Sequence, residues 1–202
     1  MVRHRSGVLG TTRRASKLTL VKLTKNSQFD WFFARNHLDG HARARYAFGL
    51  FEGDKLLCCA SIRTNHQGEC ELARLATDYD YHVYGGAGRL IKAILKEEGK
   101  LVTFSNNRLS HGKTYQILGF SLVQENPPSY WYTDGNERIW RYRCRRVNDP
   151  EILRQFPEVE HTEKAQAAAG ILSLGIWGDR RPLFRIEDYG HRKWVLDVQP
   201  SA

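Results

Sequence analysis

Three glycines in Val83-Tyr84-Gly85-Gly86-Ala87-Gly88 fall between a strand-like segment and an amphipathic one at 89–98. Glycines ahead of a helix start leave backbone N–H groups aimed at an anion, and the helix dipole adds to the attraction. The chemistry this suggests is the holding of a phosphate-bearing cofactor or substrate. A tight strand-to-helix connection without a ligand would use the same glycines. A second strand–helix unit follows, with 101–105 as strand, Asn106-Asn107-Arg108-Leu109-Ser110-His111-Gly112 as connection, and Lys113-Thr114-Tyr115-Gln116-Ile117-Leu118-Gly119-Phe120 as helix and stop. Arg108 and Ser110 stand between strand end and helix start, where sites on open α/β sheets lie. Arg108 suits an anion or a base, and Ser110 suits a site or a plain helix cap. Asn106 has an amide that both donates and accepts, as a nucleobase edge demands.

Further candidates lie outside this pair of units. His37, in Asn36-His37-Leu38-Asp39-Gly40, follows a helical stretch and suits a general base, a metal ligand, a DNA contact or a helix-end cap. Arg74 interrupts an apolar strand, and a charge there needs a partner. A substrate or phosphate would supply one, and so would an ion pair with Glu71 or Asp78. Tyr130, Trp131 and Tyr132 follow two prolines and suit either core packing or stacking on an extruded base. Strand alternation through 138–145 would put Arg141, Arg143 and Arg145 on one face and Trp140, Tyr142 and Cys144 on the other. His66, His111, His161 and His191 show no His-x-x-x-His spacing, so no metal site is read from the sequence.

The elements that must position these groups follow from periodicity. A strand is predicted at 18–23, and a helix at 28–38 with Phe29, Phe32 and Phe33 on one side. A hairpin is predicted from 46–51 and 55–62 across Glu52-Gly53-Asp54, and a strand at 69–76. In the helix after the glycines, Leu90, Ile91, Ile94 and Leu95 share a face. A short helix at 112–118 closes at Gly119. Strands at 122–124 and 137–146 are expected to pair. The expected organisation is a basic N-terminal arm over 1–17, an α/β domain over 18–148, and an appendage over 149–202 holding an alanine-rich helix near 161–174 and a short strand or loop ending at Leu196.

The composition limits the class. A chain of 202 residues can hold one sizeable core. No apolar run approaches the ~20 residues of a membrane span, and the basic N-terminus lacks a secretory h-region, so a cytoplasmic location is expected. Cys58, Cys59, Cys70 and Cys144 lack C-x-x-C spacing and read as small buried hydrophobes. The net charge of +9 is clustered, with seven basic and no acidic residues in the first 25, and it points to nucleic acid as partner.

The order of hairpin, strand, glycine turn, helix, strand and short helix ending in Tyr115-Gln116-Ile117-Leu118-Gly119-Phe120 resembles the GNAT acyltransferase superfamily. The resemblance implies a mixed, splayed α/β sheet flanked by helices. It also implies acetyl-CoA or a related CoA thioester as cofactor, with its pyrophosphate on Val83, Tyr84, Gly85, Gly86, Ala87 and Gly88. Tyr115 would protonate the departing CoA thiolate.

A narrower resemblance joins Asn36-His37-Leu38-Asp39-Gly40, Glu71-Leu72-Ala73-Arg74, the glycine turn, Arg108-Leu109-Ser110-His111-Gly112 and Pro128-Ser129-Tyr130-Trp131-Tyr132. The chain is similar over about 29–145 to a phage GNAT-like branch, met also beside homing endonucleases, to which the Mom DNA-modification protein is related. That likeness implies double-stranded DNA as partner and transfer of an acyl-derived group to a base, adenine N6 first. His37, Arg74, Asn106, Arg108, Ser110 and Tyr115 would be the catalytic set. Tyr130, Tyr132, Arg141, Arg143 and Arg145 would contact nucleic acid. Two positions depart from the pattern: His82 or Val83 stands where classical members carry Gln or Arg, and Asn106 stands where the phage branch has Asp. These departures suit the alternative of an inactive DNA-binding module. A third reading is acetylation of a protein or small amine. Metal dependence and oligomeric state, monomer or homodimer, stay open.

Overall fold

A computed structural model describes residues 10–144, 150–174 and 181–197. The chain forms two compact units, the first from residues up to 105, 109–125 and 192 onward, the second from 106–108 and 126–191.

The first unit is built on a seven-stranded mixed sheet. Its strands are β2 (Thr19–Leu23), β3 (Tyr46–Glu52), β4 (Lys55–Thr64), β5 (Cys70–Thr77), β7 (Lys100–Asn106), β8 (Ser121–Asn126) and β12 (His191–Asp197). Their spatial order is β2-β3-β4-β5-β7-β12-β8. Strands β2 to β5 pair antiparallel, and the predicted hairpin forms with Tyr46 opposite Ile62 and Gly49 opposite Cys59. A separate parallel pair joins β1 (Thr11–Arg14) to β6 (Tyr81–Tyr84). Residues 11–14, expected in a free arm, are therefore held as a strand, and residues 1–9 lie outside the described set.

Alternation along β3 and β4 divides the apolar residues between two faces. Cys58 and Cys59 illustrate it, since each joins a different core cluster. Helix α1 (Asp30–Asn36) covers one face with Phe32 and Phe33, beside the preceding Phe29, all fully buried. Helix α2 (Gly86–Glu98) covers the other with Leu90, Ile91 and Ile94, each burial contributing about 1.5–3 kcal/mol. Helix α3 (Lys113–Ile117) follows β7. All four cysteines are free thiols, and burial pushes that of Cys58 up to about 11.

The second unit centres on a three-stranded antiparallel sheet in which β9 (Tyr130–Thr133) lies between β10 (Arg138–Ile139) and β11 (Phe184–Glu187). Helices α4 (Pro150–Gln155) and α5 (Glu163–Ala168) belong to it, and Tyr132, Ile139, Cys144, Leu172 and Leu183 form its core.

Three expectations are corrected here. The 137–146 strand is only two residues long, pairs with β9 rather than with 122–124, and runs into a 3-10 turn at Arg141–Cys144. Arg141 and Arg143 therefore do not form a strand face, and Arg145 lies outside the described residues. The alanine-rich helix spans only Glu163–Ala168, capped by the Thr162 hydroxyl. Finally, 149–202 is not all appendage: β12 inserts between β7 and β8, burying Trp194 completely. Among the described residues no helix is long and apolar enough to cross a membrane.

Candidate active site

The glycine turn enters α2 three residues earlier than periodicity suggests. Gly85 is the N-cap at φ 72°, and Gly86, Ala87 and Gly88 form the first helical turn, with no side chain capping it. Their N–H groups have no intrahelical acceptor. Each glycine has its own reason. Gly85 needs the left-handed region. A Cβ on Gly86 would lie 3.0 Å from Val83 and 3.2 Å from the Cys58 sulfur. Gly88 has neither need: its φ is ordinary, and a Cβ there would meet only Leu118, at 3.9 Å. Glycine inside a helix costs about 1 kcal/mol against alanine, and packing does not explain its presence here.

This turn opens onto a groove of about 1090 Å³ whose walls include Arg14, Ser16, Tyr84, Gly85, Gly88 and Lys92. Arg89 also borders it, but its guanidinium is committed, donating to the carbonyls of Ala15 and Leu18. It clamps the segment after β1 against α2. Of the turn residues, Val83 is buried in the core and Tyr84 is 63% exposed.

Elsewhere in the first unit the sheet is split. Strands β5 and β7 run parallel but pair only at Glu71 opposite Val102. Tyr115 of α3 packs at this split: its ring lies 5.9 Å from Trp194 and 5.7 Å from Phe120, and its hydroxyl bonds with Thr103 of β7. Burial raises the phenol above its ordinary value, the Thr103 bond opposing it. The group is therefore protonated throughout the neutral range.

His37 and Arg74 come together, though not as expected. Arg74 makes no pair with Glu71, whose carboxylate accepts from Arg63 at 2.7 Å. Instead its guanidinium donates to the carbonyls of Gly40 at 2.9 Å, Ala73 at 2.8 Å and Asp39 at 3.3 Å. His37 is the C-cap of α1, and its Nδ1 accepts from the Asp39 N–H at 3.1 Å. The neutral ring then carries its proton on Nε2, which makes it a donor rather than a ready base.

Burial first, and the Arg74 charge second, hold His37 below the usual histidine range, with Asp39 opposing. The neutral ring is thus the folded form. Stability tied to it is complete above the unfolded value of about 6.5 and is lost as pH falls through the lowered folded value. Thermal melts at falling pH should show this loss, and His37→Asn should flatten that part of the curve. An unchanged acid limb would rule the assignment out.

Asn106 and Arg108 belong to the second unit. The Asn106 amide oxygen accepts from the Arg108 N–H at 2.9 Å, shaping the turn and leaving the Arg108 side chain exposed. Ser110 Oγ accepts from the Gly112 N–H at 3.0 Å, just ahead of α3. Tyr132 is buried, and its hydroxyl donates to Glu163, so it is not available for stacking. Tyr130 donates to the same carboxylate at 2.9 Å, with Arg185 4.0 Å from its ring centroid.

Sequence reasoning missed Ser16 and Lys92 in the groove. It also missed Trp194 as the wall behind Tyr115, because nothing local ties 194 to 115. Among the described residues no group of three or more His, Cys, Asp and Glu is placed to hold a metal.

This fold, a split mixed sheet with a glycine-opened helix and helices on both faces, is found in solved acetyltransferase structures. The ribosomal-protein-S18-alanine N-acetyltransferase from Escherichia coli shares it, with a TM-score of 0.52 and 11% identity over 92% of this chain and 96% of that one. Two further structures overlap less closely. An acetyltransferase of Bacillus subtilis in complex with CoA has a TM-score of 0.44 and 13% identity over 91% of this chain and 100% of its own. A GNAT family acetyltransferase from Elizabethkingia anophelis with acetyl-CoA bound has a TM-score of 0.43 and 13% identity over 90% and 98%. No family model matches this chain, and no curated protein does.

Proposed function

We propose that this chain is a CoA-dependent acyltransferase whose acceptor is DNA, with an exocyclic base amine, adenine N6 first, receiving the group. The observation that carries the donor side is Gly88, a helix glycine that neither φ nor packing requires, beside uncapped N–H groups and a basic groove. A pyrophosphate needs such bare backbone, and the residues fit it. Gly86, Ala87 and Gly88 would hold its oxygens through N–H groups, with Arg14 and Lys92 supplying charge. A bound thioester supplies an activated acyl carbon. The net exchange replaces a C–S bond with a C–N bond and moves one proton from amine to thiolate. Tyr115 holds that proton on its hydroxyl at the split between β5 and β7. Arg74 and His37 hold the 37–40 turn in shape rather than exchanging protons.

The acceptor assignment draws on the net charge of +9 and on the motif likeness to the phage DNA-modifying branch. We assign Arg108 and Asn106 to DNA contact.

Nucleosides from DNA of cells expressing the chain should contain a mass-shifted base, absent with Tyr115→Phe, which keeps the ring between Trp194 and Phe120. Unmodified DNA from folded, abundant wild-type protein would exclude the DNA acceptor.

A further inference from the structure

The second unit carries three aromatic rings in a row. Trp131 and Trp140 lie 4.7 Å apart edge to face, and Trp140 and Tyr142 lie 5.6 Å apart, tilted by 35°. Trp140 is 48% exposed and Tyr142 46%. Their sequence neighbours Ile139 and Cys144 belong to the core of this unit, while the two large rings stay outside it. Guanidinium groups lie over the row: Arg138 stands 4.5 Å from the Trp131 centroid, and Arg141 stands 5.0 Å from that of Tyr142. The row is also anchored, since Trp131 bonds the Asp188 carboxylate and Arg141 donates to the Tyr142 hydroxyl at 3.2 Å.

We infer that Trp131, Trp140 and Tyr142, with Arg138 and Arg141, form a stacking platform for unpaired bases of a DNA strand. Flat apolar faces offer sequence-tolerant stacking, while adjacent guanidiniums meet the phosphates linking those bases. An acidic peptide would match the arginines but leave the exposed ring faces unused. A transferase acting on a base amine needs that base outside the duplex, and an unpaired strand is the form this surface receives. The inference rests on the DNA reading above and names the part of the chain that would hold the strand.

Fluorescence anisotropy of a labelled oligothymidylate, titrated with the full chain, tests it. Wild type should bind this probe more tightly than a duplex of equal length. Trp140→Ala and Tyr142→Ala should each weaken binding about tenfold, while Trp140→Phe and Tyr142→Phe keep most of it. Arg138→Ala should make the salt dependence shallower by about 0.7 in log–log slope, and Trp140→Ala should leave that slope unchanged. Melting curves equal to wild type confirm that each variant is folded, and Trp140→Leu and Tyr142→Leu, which also remove the ring, serve if an alanine one is not. If wild type binds and the Trp140 and Tyr142 variants bind equally well, the platform is overturned and the DNA reading stands. If wild type binds neither probe at low salt, both fall. Platform-dependent binding with unmodified nucleosides would uphold the platform and overturn the transferase reading.

Discussion

Replacing Gly112 with alanine should destabilise the first unit by about 3–5 kcal/mol, lowering its melting temperature by roughly 10 °C. Gly112 is the N-cap of α3 at φ 81°, a conformation that disfavours a side chain. An added Cβ would also sit 1.9 Å from Trp194 Cζ2, inside any tolerable contact. Trp194 cannot yield easily: it is 1% exposed, and its indole N–H donates to Ser105 Oγ at 2.9 Å. The displaced indole is the ring beside Tyr115, so the packing of that tyrosine changes with it. Near-ultraviolet circular dichroism with a thermal melt reads both effects. A variant melting within 1–2 °C of wild type would mean that the indole is not wedged against the turn.

The second large effect separates stability from binding. Gly88→Ala should raise the melting temperature by about 2–4 °C, because a helix gains about 1 kcal/mol from the exchange, and nothing nearer than 3.9 Å opposes the new methyl. In the proposed donor site the same methyl would narrow the approach of a phosphate to the N–H groups. Loss of one charge-assisted hydrogen bond, about 1.5–3 kcal/mol, should weaken CoA binding at least tenfold. Calorimetric titration with CoA, beside the melts, measures the two together. If Gly88→Ala binds CoA as wild type does, the glycine turn is only a connection between strand and helix. Should wild type itself fail to bind CoA, the donor assignment fails.

What could be read from the sequence was local. Residues 46–62 read as a hairpin because their apolar pattern flanks one polar turn, and α2 showed its buried face through the spacing of Leu90, Ile91 and Ile94. Tyr115 and Gly119 marked a short helix for a similar reason. Between Arg138 and Arg145, charged and aromatic residues alternate as in a strand, yet beyond Ile139 the chain tightens into a 3-10 turn. Alternation records where side chains point, and a tight turn imitates it over four residues. Strand alternation sets Tyr130 and Tyr132 on one face and Trp131 on the other, but the Glu163 carboxylate that both tyrosines share is non-local. Arg74 shows the same limit. Its need for partners was evident, but two of the three backbone carbonyls that satisfy it, those of Asp39 and Gly40, became visible only when the 39–40 turn was set against β5.

The position of β12 governs how this molecule is made. Its neighbours β7 and β8 are close in sequence, but the strand between them arrives only after the whole stretch 127–190 has been synthesised. Until then two sheet edges lack a partner, and the hollow that Trp194 will fill is open. Pairings this distant close slowly, and unpaired edges invite other chains. Tyr115 therefore acquires its packed environment late, so the proposed phosphate-binding backbone and the proposed proton donor do not mature together. The glycine turn and α2 can assemble on β2–β5 well before the tyrosine is seated, and under the proposed function the order of biogenesis would separate binding competence from catalytic competence.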